Sequence, residues 1–316
     1  MNYENCELYG INRKRDLYRI LRTTKKQVVL VLNNYKACIN EKSRLLEKPS
    51  QDLKYLQRRL LNKLYGIDFP AYVFSGVKGK SSYGNAIEHL NARFMLKLDM
   101  SKFFPNTHRN NVYSFFKQKL KMSPDVAKLC TDITTINYNG KGAHIERDVD
   151  SFMKLKHIKN KNHLPSGTPT SQILSYLANL DMFDEIIRYC ENHKLNCTIY
   201  VDDITISSNR MISFVEEKQL KSIIKKYGQR ISKGKTIRYR EHEYKKVTGF
   251  VIAPNHELVV ANKTRWKIKQ NLLQVPNIDN IECSLKNSLI GLANFSELSQ
   301  KDAYKGLKSR LKQPKI

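Results

Sequence analysis

Hydrophobic residues in the first quarter of the chain follow the spacing of helices that are apolar on one side. Residues 16–35 predict two short helices, and Thr24 and Gln27 have capping-box spacing ahead of an apolar run. Residues 50–67 predict a longer helix with Lys and Arg on its polar face. Its apolar positions are Leu53, Leu56, Leu60, Leu61 and Leu64. Between these segments, residues 38–50 predict a short hairpin that ends at Pro49.

Strand patterns occur in three further places. Residues 94–99 alternate between apolar and polar side chains, which predicts a strand that ends at Asp99. A helix is expected after Pro105, capped by Asn106 or Thr107. Residues 198–207 read as strand, turn and strand, and residues 245–261 as a hairpin that turns at residues 254–256.

The remaining segments predict loops and helices. Residues 73–90 are rich in Gly, Ser and Lys and predict a flexible basic loop, although the spacing of Gly76 and Gly79 does not fit a phosphate-binding P-loop. Residues 132–163 are polar with weak periodicity and predict an insertion or long loop. Residues 165–190 open with Gly and Pro and predict a long amphipathic helix, and basic helices are expected after residue 262. Helices and strands together indicate an α+β chain.

The charge of the chain changes this picture, because it points to a partner. The 316 residues include 56 Lys and Arg against 29 Asp and Glu, a formal net charge of +27. Nucleic acid is the leading polyanion, with an anionic membrane surface as the competitor. We expect a soluble cytoplasmic protein, since neither a spanning segment nor a signal peptide is apparent. The six scattered cysteines predict buried free thiols rather than zinc sites or disulfides.

Acidic residues are scarce in this basic chain, and two stand together in a predicted strand hairpin. Asp202 and Asp203 lie in the sequence YVDD, and Asp99 ends another predicted strand. Carboxylates brought together in this way suit a pair of Mg²⁺ ions completed by substrate phosphates. Taken alone, an Asp-Asp pair more often belongs to a polar turn. The strand-forming residues on both sides, such as Val201 and Ile204, favour the metal site.

The ordered motifs between residues 42 and 250 resemble those of reverse transcriptases, and among them the bacterial retron type. YVDD resembles the palm hairpin, LKLDMSKFFPN the strand with the first catalytic Asp, and LPSGTPTSQILSYLANL the motif that positions template and nucleotide. GQRISKGKT is similar to the following lysine-bearing motif, and KSRLLEKPSQDLKYLQ to the fingers pattern. The retron type is indicated by N-A-x-x-H, with Asn85 and His89, and by V-T-G, with Thr248 and Gly249.

The resemblance implies a right-hand fold with fingers, palm and thumb. It places the N-terminal helices and fingers at residues 1–84, the palm at 85–255 with the insertion at about 132–163, and a helical basic thumb at 256–316. The implied activity is RNA-directed DNA synthesis with Mg²⁺ and dNTPs. The implied catalytic and metal-binding residues are Asp99, Asp202 and Asp203.

The resemblance also implies a set of nucleotide contacts. Arg44, with Lys42 as a weaker candidate, would grip the triphosphate, and Phe104 would exclude a ribose 2′-OH while Phe103 joins the core. Gly167 and Pro169 would keep the backbone turn of the nucleotide motif, in which Ser166 stands where many relatives have Gln. Lys235, with Lys233 as a rival, would donate a proton to pyrophosphate.

The implied partners are a cognate noncoding RNA (msr-msd), its branched DNA product and an effector or toxin protein in antiphage defence. Asn85, His89, Thr248 and Gly249 are candidates for RNA or primer contact, although a buried structural histidine is equally expected at residue 89. The alternatives are an intron-associated or diversity-generating reverse transcriptase, a two-metal nuclease and a non-catalytic RNA-binding scaffold.

Overall fold

A β-hairpin flanked by helices forms the amino-terminal part of the protein. The computed structural model describes residues 1–140, 145–232, 234–275 and 281–312. The first elements are α1 (Lys14–Ile20), α2 (Lys25–Val31), β1 (Tyr35–Ile39), β2 (Leu45–Pro49), α3 (Gln51–Leu64) and α4 (Ser82–Ile87). The predicted short helices, hairpin and long helix are confirmed, and Thr24 and Gln27 form both bonds of the capping box. The prediction of a loop throughout residues 73–90 is wrong, because Ser81 caps α4 there.

The next part carries a strand followed by a run of short helices. Its elements are β3 (Phe94–Asp99), α5 (Phe103–Asn106), α6 (Arg109–Ser114), a π-helical turn (Phe115–Lys119), α7 (Pro124–Thr134), β4 (Ile136–Asn137), α8 (Arg147–Leu155) and β5 (Asn162–His163). The predicted start of the helix after Pro105 is wrong. Pro105 lies inside α5, in the first turn, where its missing N–H has no intrahelical partner to lose. His108 precedes α6 without a side-chain cap.

The segment 132–163 is not the long loop that its weak periodicity predicts. It contains the end of α7, the helix α8 and the paired strands β4 and β5. Val149 and Met153 on α8 are buried against Leu45 of β2, so the segment packs on the amino-terminal hairpin. Strands of two residues are too short to show a period, which is why the sequence pattern misses them. Residues 141–144 lie outside the described residues.

The third part builds the main sheet. Its elements are α9 (Ser171–Leu177), α10 (Leu180–Asn192), β6 (Asn196–Tyr200), β7 (Asp203–Ser208), α11 (Phe214–Lys226) and β8 (Ile237–Tyr239). The strands form an antiparallel sheet in the order β6-β7-β3-β8. The predicted strand–turn–strand is confirmed. The single long helix predicted within 165–190 is wrong, because the chain breaks between α9 and α10 at Asn179, whose amide donates to Thr107 and to the Ser175 carbonyl.

The last part consists of a small sheet and basic helices. Its elements are β9 (Lys245–Val247), β10 (Phe250–Ile252), β11 (Leu258–Val259), α12 (Asn262–Leu273), α13 (Cys283–Ser299) and α14 (Lys305–Lys312). The predicted hairpin between β10 and β11 is confirmed, and the structure adds β9 on the other side of β10. Helices α12 to α14 have a core of their own around Ile268, Leu289 and Leu311.

The largest core joins the amino-terminal helices to the main sheet. Leu53 and Leu60 of α3, Leu96 of β3 and Phe183 of α10 all belong to it. The predicted burial of free thiols is confirmed for Cys6, Cys130, Cys190 and Cys197. It is wrong for the exposed Cys283, and Cys38 is half-buried. No helix in the described ranges is both long and apolar enough to cross a membrane.

Candidate active site

The hairpin between β6 and β7 turns through two residues, Val201 and Asp202. Tyr200 and Asp203 are paired across it, so the strands continue up to the turn. Val201 has a φ of +56°, a left-handed conformation that β-branched residues rarely adopt. Such a conformation costs about 1–3 kcal/mol and persists only where the surrounding structure holds it. The tight turn projects Asp202 from the end of the sheet.

Asp99 reaches the same end of the sheet from the neighbouring strand. Asp99 and Asp203 are directly opposite each other in the β3–β7 register, which places their side chains on one face. The amide of Met100 donates to the carbonyl of Asp202 over 2.8 Å and ties the strand end to the turn. The sheet therefore brings the three predicted carboxylates together.

Lysines offset part of this negative charge. Lys235 Nζ lies 3.1 Å from Asp99 Oδ1, and Lys97 Nζ lies 3.6 Å from Asp203 Oδ2. The hydroxyl of Ser232 also donates to Asp99. Sequence reasoning missed Lys97 and Ser232. The period of two along a strand could have identified Lys97, because it stands two residues before Asp99 on the same face.

Asp202 has a perturbed carboxyl group. Burial, together with the charges of Asp203 and Asp99, raises the pKa of Asp202 to about 6, while its backbone hydrogen bond and Arg44 oppose the shift. The three carboxylates and the guanidinium thus lie within each other's electrostatic range. A nearby cation would stabilise the ionised form of this carboxyl group, since it offsets both the cost of burying the charge and the repulsion from the other two carboxylates.

A cavity of about 640 Å³ opens beside the carboxylates. It is lined by the predicted nucleotide-binding residues together with one predicted metal ligand, namely Arg44, Phe104, Gly167, Pro169, Lys235 and Asp202. Its walls come from the β1–β2 hairpin, the helix α5, the helix α8 with the residues that follow it, the loop before α9 and the segment before β8. Lys42 is not part of the lining, and Lys233 lies outside the described residues.

The two phenylalanines of α5 face different surroundings. Phe103 is buried and packs edge-on against Phe183, with ring centroids 6.2 Å apart. Phe104 is half-buried and lines the cavity. Only Phe104 of the two therefore reaches the cavity wall.

The loop before α9 is fastened to strand β2. Ser166 donates from its hydroxyl to the carbonyl of Leu45, and the amide of Glu47 donates to the carbonyl of Ser166 over 3.0 Å. Gly167 follows with a φ of +94°, which favours glycine. Ser166 therefore joins two walls of the cavity, and its side chain is already occupied by a backbone contact.

The four predicted RNA-contacting residues lie away from the cavity lining. The Asn85 amide is 3.4 Å from the hydroxyl of Thr248, which donates to the carbonyl of Ser82. His89 is fully buried, and its ring nitrogens each lie 2.7 Å from a hydroxyl, Ser207 Oγ and Thr198 Oγ1. Burial, helped by Lys97, lowers the pKa of His89 to about 4. Asn85 and Thr248 thus hold α4 against the turn that contains Gly249.

The chemistry of this donor set fits magnesium with substrate bound. Within the described residues, no group of three or more His, Cys, Asp or Glu side chains, the three aspartates included, is placed so that it could hold a metal ion. Magnesium seldom relies on protein ligands alone, and usually takes one or two carboxylates with water and substrate phosphates. Half-buried Asp202, with Asp99 and Arg44 within its electrostatic range, matches this open type of site.

Comparison with known proteins agrees with the geometry. Residues 24–252 match the family model described as reverse transcriptase (RNA-dependent DNA polymerase). The Retron Ec86 reverse transcriptase of Escherichia coli is 30% identical over 232 residues, covering 72% of this chain and 63% of the relative. The Retron Se72 reverse transcriptase of Salmonella heidelberg is 27% identical over 239 residues, covering 72% and 55% respectively. The Retron Ec83 reverse transcriptase of Escherichia coli is 24% identical over 267 residues, covering 79% and 78%.

The matched region contains every element that lines the cavity. The chain spans a little over half to two thirds of the length of the first two of these relatives. A reverse transcriptase domain implies the right-hand polymerase fold, and the mixed helices and antiparallel sheet agree with it. The chain belongs to the reverse transcriptase family, and its similarity to retron enzymes makes it a member of the bacterial retron type.

Proposed function

We propose that the chain is an RNA-directed DNA polymerase that extends a DNA strand on an RNA template. The observation that carries the proposal is that Asp202 lines a cavity with Arg44 and Phe104, while Asp99 and Asp203 are paired at the adjoining end of the sheet. The cavity has the volume of a small-ligand site, and its polar groups suit a triphosphate. The net charge of +27 supports a nucleic-acid partner.

Five residues that line the cavity have roles in this reaction. Arg44 binds the triphosphate by charge-assisted hydrogen bonds. Phe104 blocks a ribose 2′-OH and selects deoxynucleotides, while Gly167 and Pro169 shape the loop against the nucleotide. Lys235 donates a proton to the leaving pyrophosphate, a role that requires it to leave its ion pair with Asp99.

Asp99 and Asp202 would hold magnesium, with Asp203 as a third and less direct ligand. When bound, the metal lowers the pKa of the attacking 3′-hydroxyl and stabilises the charge of the leaving group. Asp203 is already paired with Lys97, so it would contribute mainly through its charge. Ser232 orients Asp99 by donating a hydrogen bond to it.

We assign fingers to residues 1–84, palm to 85–255 and thumb to 256–316. The separate core of α12 to α14 supports the thumb as a distinct unit. We further propose the retron reaction for this chain. It would copy a cognate structured noncoding RNA from an internal 2′-OH and produce branched RNA–DNA for antiphage defence with an effector protein. The names of the relatives support the retron type of the enzyme, and the priming, the branched product and the defence role are part of the proposal.

Primer extension on an RNA template tests the polymerase proposal. Asp202→Asn removes a negative charge at nearly constant volume, and we expect incorporation to fall at least about 100-fold, since several kcal/mol of metal-dependent stabilisation disappear. RNA binding should remain, because a carboxylate does not attract RNA phosphates. Asp181→Asn, at an exposed position on α10, is the matched control and should retain full activity. Undiminished synthesis by Asp202→Asn would contradict the metal assignment.

Sequencing of the nucleic acid that copurifies with the protein tests the retron assignment separately. A branched RNA–DNA species is expected. Linear RNA alone, together with extension of an ordinary DNA primer, would favour an intron-associated or diversity-generating enzyme instead.

A further inference from the structure

A buried acid–base pair lies behind the cavity wall. Glu47 on β2 and His163 on β5 are both fully buried, and His163 Nε2 is 2.9 Å from Glu47 Oε1 and 3.2 Å from Oε2. Neither residue lines the cavity. Glu47 stands in the fingers-like sequence KSRLLEKPSQDLKYLQ, but the sequence predicts no role for it or for His163. An acidic and a basic side chain are seldom fully buried together unless their contacts compensate for lost hydration.

The hydrogen bonds fix the number of protons on this pair. His163 Nδ1 lies 2.8 Å from the carbonyl of Asn160, which can only accept, so Nδ1 carries a proton. Contact between Nε2 and the carboxyl group requires one further proton between them. Tyr138 donates to Glu47 Oε1 over 2.8 Å, and the amide of Ser166 donates to Oε2 over 3.2 Å. The pair therefore shares one proton, held by His163 Nε2 or by the Glu47 carboxyl group.

The contacts of the pair reach three walls of the cavity. Glu47 is three residues after Arg44 on the β1–β2 hairpin, and its amide and carboxylate both contact Ser166 in the loop before α9. His163 contacts the carbonyl of Asn160, whose side-chain amide donates to the carbonyl of Pro105 over 3.0 Å. Pro105 adjoins Phe104. Short stretches of chain and hydrogen bonds therefore connect Arg44, Ser166 and Phe104 to one buried pair of side chains.

We propose that Glu47 and His163 share this proton as an ion pair, and that the pair is a positioning unit that sets the distance between the walls of the nucleotide cavity. The inference rests on the proposed polymerase function, because it assigns the pair to nucleotide binding. The segment that carries His163 also carries α8, which packs on β2 through Val149 and Met153. Segment 132–163 thus has a role, because it places the His163 side chain behind the cavity wall.

Removal of the cation alone should misplace the walls. In His163→Gln, the Glu47 carboxylate remains buried without its charge partner, and we expect the dissociation constant for dGTP and the KM for dGTP to rise about 10-fold. The value of kcat should change less, because the carboxylates at the sheet end are untouched. The double variant Glu47→Gln and His163→Gln restores a neutral hydrogen-bonded pair, and should recover dGTP affinity to within about 3-fold of wild type.

The control is His157→Asn, at an exposed histidine of the same segment whose left-handed backbone suits Asn. It should bind dGTP as the wild type does. Circular dichroism and template affinity would be compared for all variants. Wild-type dGTP affinity in His163→Gln would overturn the proposal, as would a double variant no better than the single one.

A measurement on the unaltered protein covers variants that do not fold. Nitrogen-15 spectra of histidine-labelled protein, assigned through bonded correlations, should show protons on both ring nitrogens of His163. A single ring proton would overturn the ion pair. Calorimetric dGTP binding with magnesium separates the two proposals. If the wild type binds dGTP but extends no primer, the polymerase function fails, while the binding constants of the variants still decide the role of the pair.

Discussion

Mild acid should destabilise this protein through His89. The imidazole is fully buried between the hydroxyls of Ser207 and Thr198, which satisfy the neutral ring, and burial lowers its pKa from the ordinary 6.5 to about 4. Between these two pH values the unfolded chain binds a proton that the folded chain excludes. The stabilisation is therefore fully present above pH 6.5 and is lost as the pH falls toward 4.

The size of the effect follows from the same two pKa values. The full difference corresponds to about 3 kcal/mol of unfolding free energy, of which about 2 kcal/mol is lost by pH 5. Urea unfolding at pH 7 and pH 5 would be compared for wild type and His89→Gln, which lacks the titrating group. The wild type should lose about 2 kcal/mol more than the variant. His242→Gln, at an exposed histidine, is the control and should behave as the wild type does.

The choice of signal matters in this assay. The chain has a single tryptophan, Trp266, which lies on α12 and would report the separate core of α12 to α14. Circular dichroism should therefore be used to monitor the whole chain. Equal losses of stability in wild type and His89→Gln would refute the reasoning. An NMR titration of the His89 ring would give the pKa directly, and a value near 6.5 would refute it as well.

Three further predictions concern the cavity wall and the backbone. Phe104→Ala should reduce discrimination between dGTP and GTP about 10-fold or more in primer extension, the scale that one steric contact supplies, and unchanged discrimination would exclude Phe104 as the gate. Gly167→Ala should raise the KM for dGTP and lower stability by about 1 kcal/mol or more, because Ala resists the φ of +94°. Gly291→Ala, in open space on α13, should instead stabilise the protein by about 0.5–1 kcal/mol in thermal unfolding, and a loss there would contradict the helix-propensity argument.

The sequence predicts best those parts whose pattern is local. Alternation identifies β3 and the β6–β7 hairpin because one-residue shifts would turn their apolar side chains to the wrong face. Helical spacing identifies α3 for the same kind of reason. The order of the motifs then predicts that Asp99, Asp202 and Asp203 share one site. In the structure, the β3–β7 register places Asp99 beside Asp203.

The sequence fails where distant residues decide the structure. Asn179 interrupts the expected long helix because its side chain is held by Thr107 and Gln229, from two other segments. Glu47 and His163 are separated by 116 positions, and no local period links them. The helix α8 in segment 132–163 likewise depends on burial against β2, which the sequence of that segment alone does not predict.

Like charges at the sheet end can fold together because cations stabilise two of the three. Asp99 pairs with Lys235, and Asp203 pairs with Lys97. Asp202 forms no ion pair within the described residues, and burial is the main cause that raises its pKa to about 6. The cavity side of Asp202 is thus where added positive charge stabilises the fold most. The same asymmetry makes Asp202, rather than Asp203, the carboxylate on which substitution should have the larger effect.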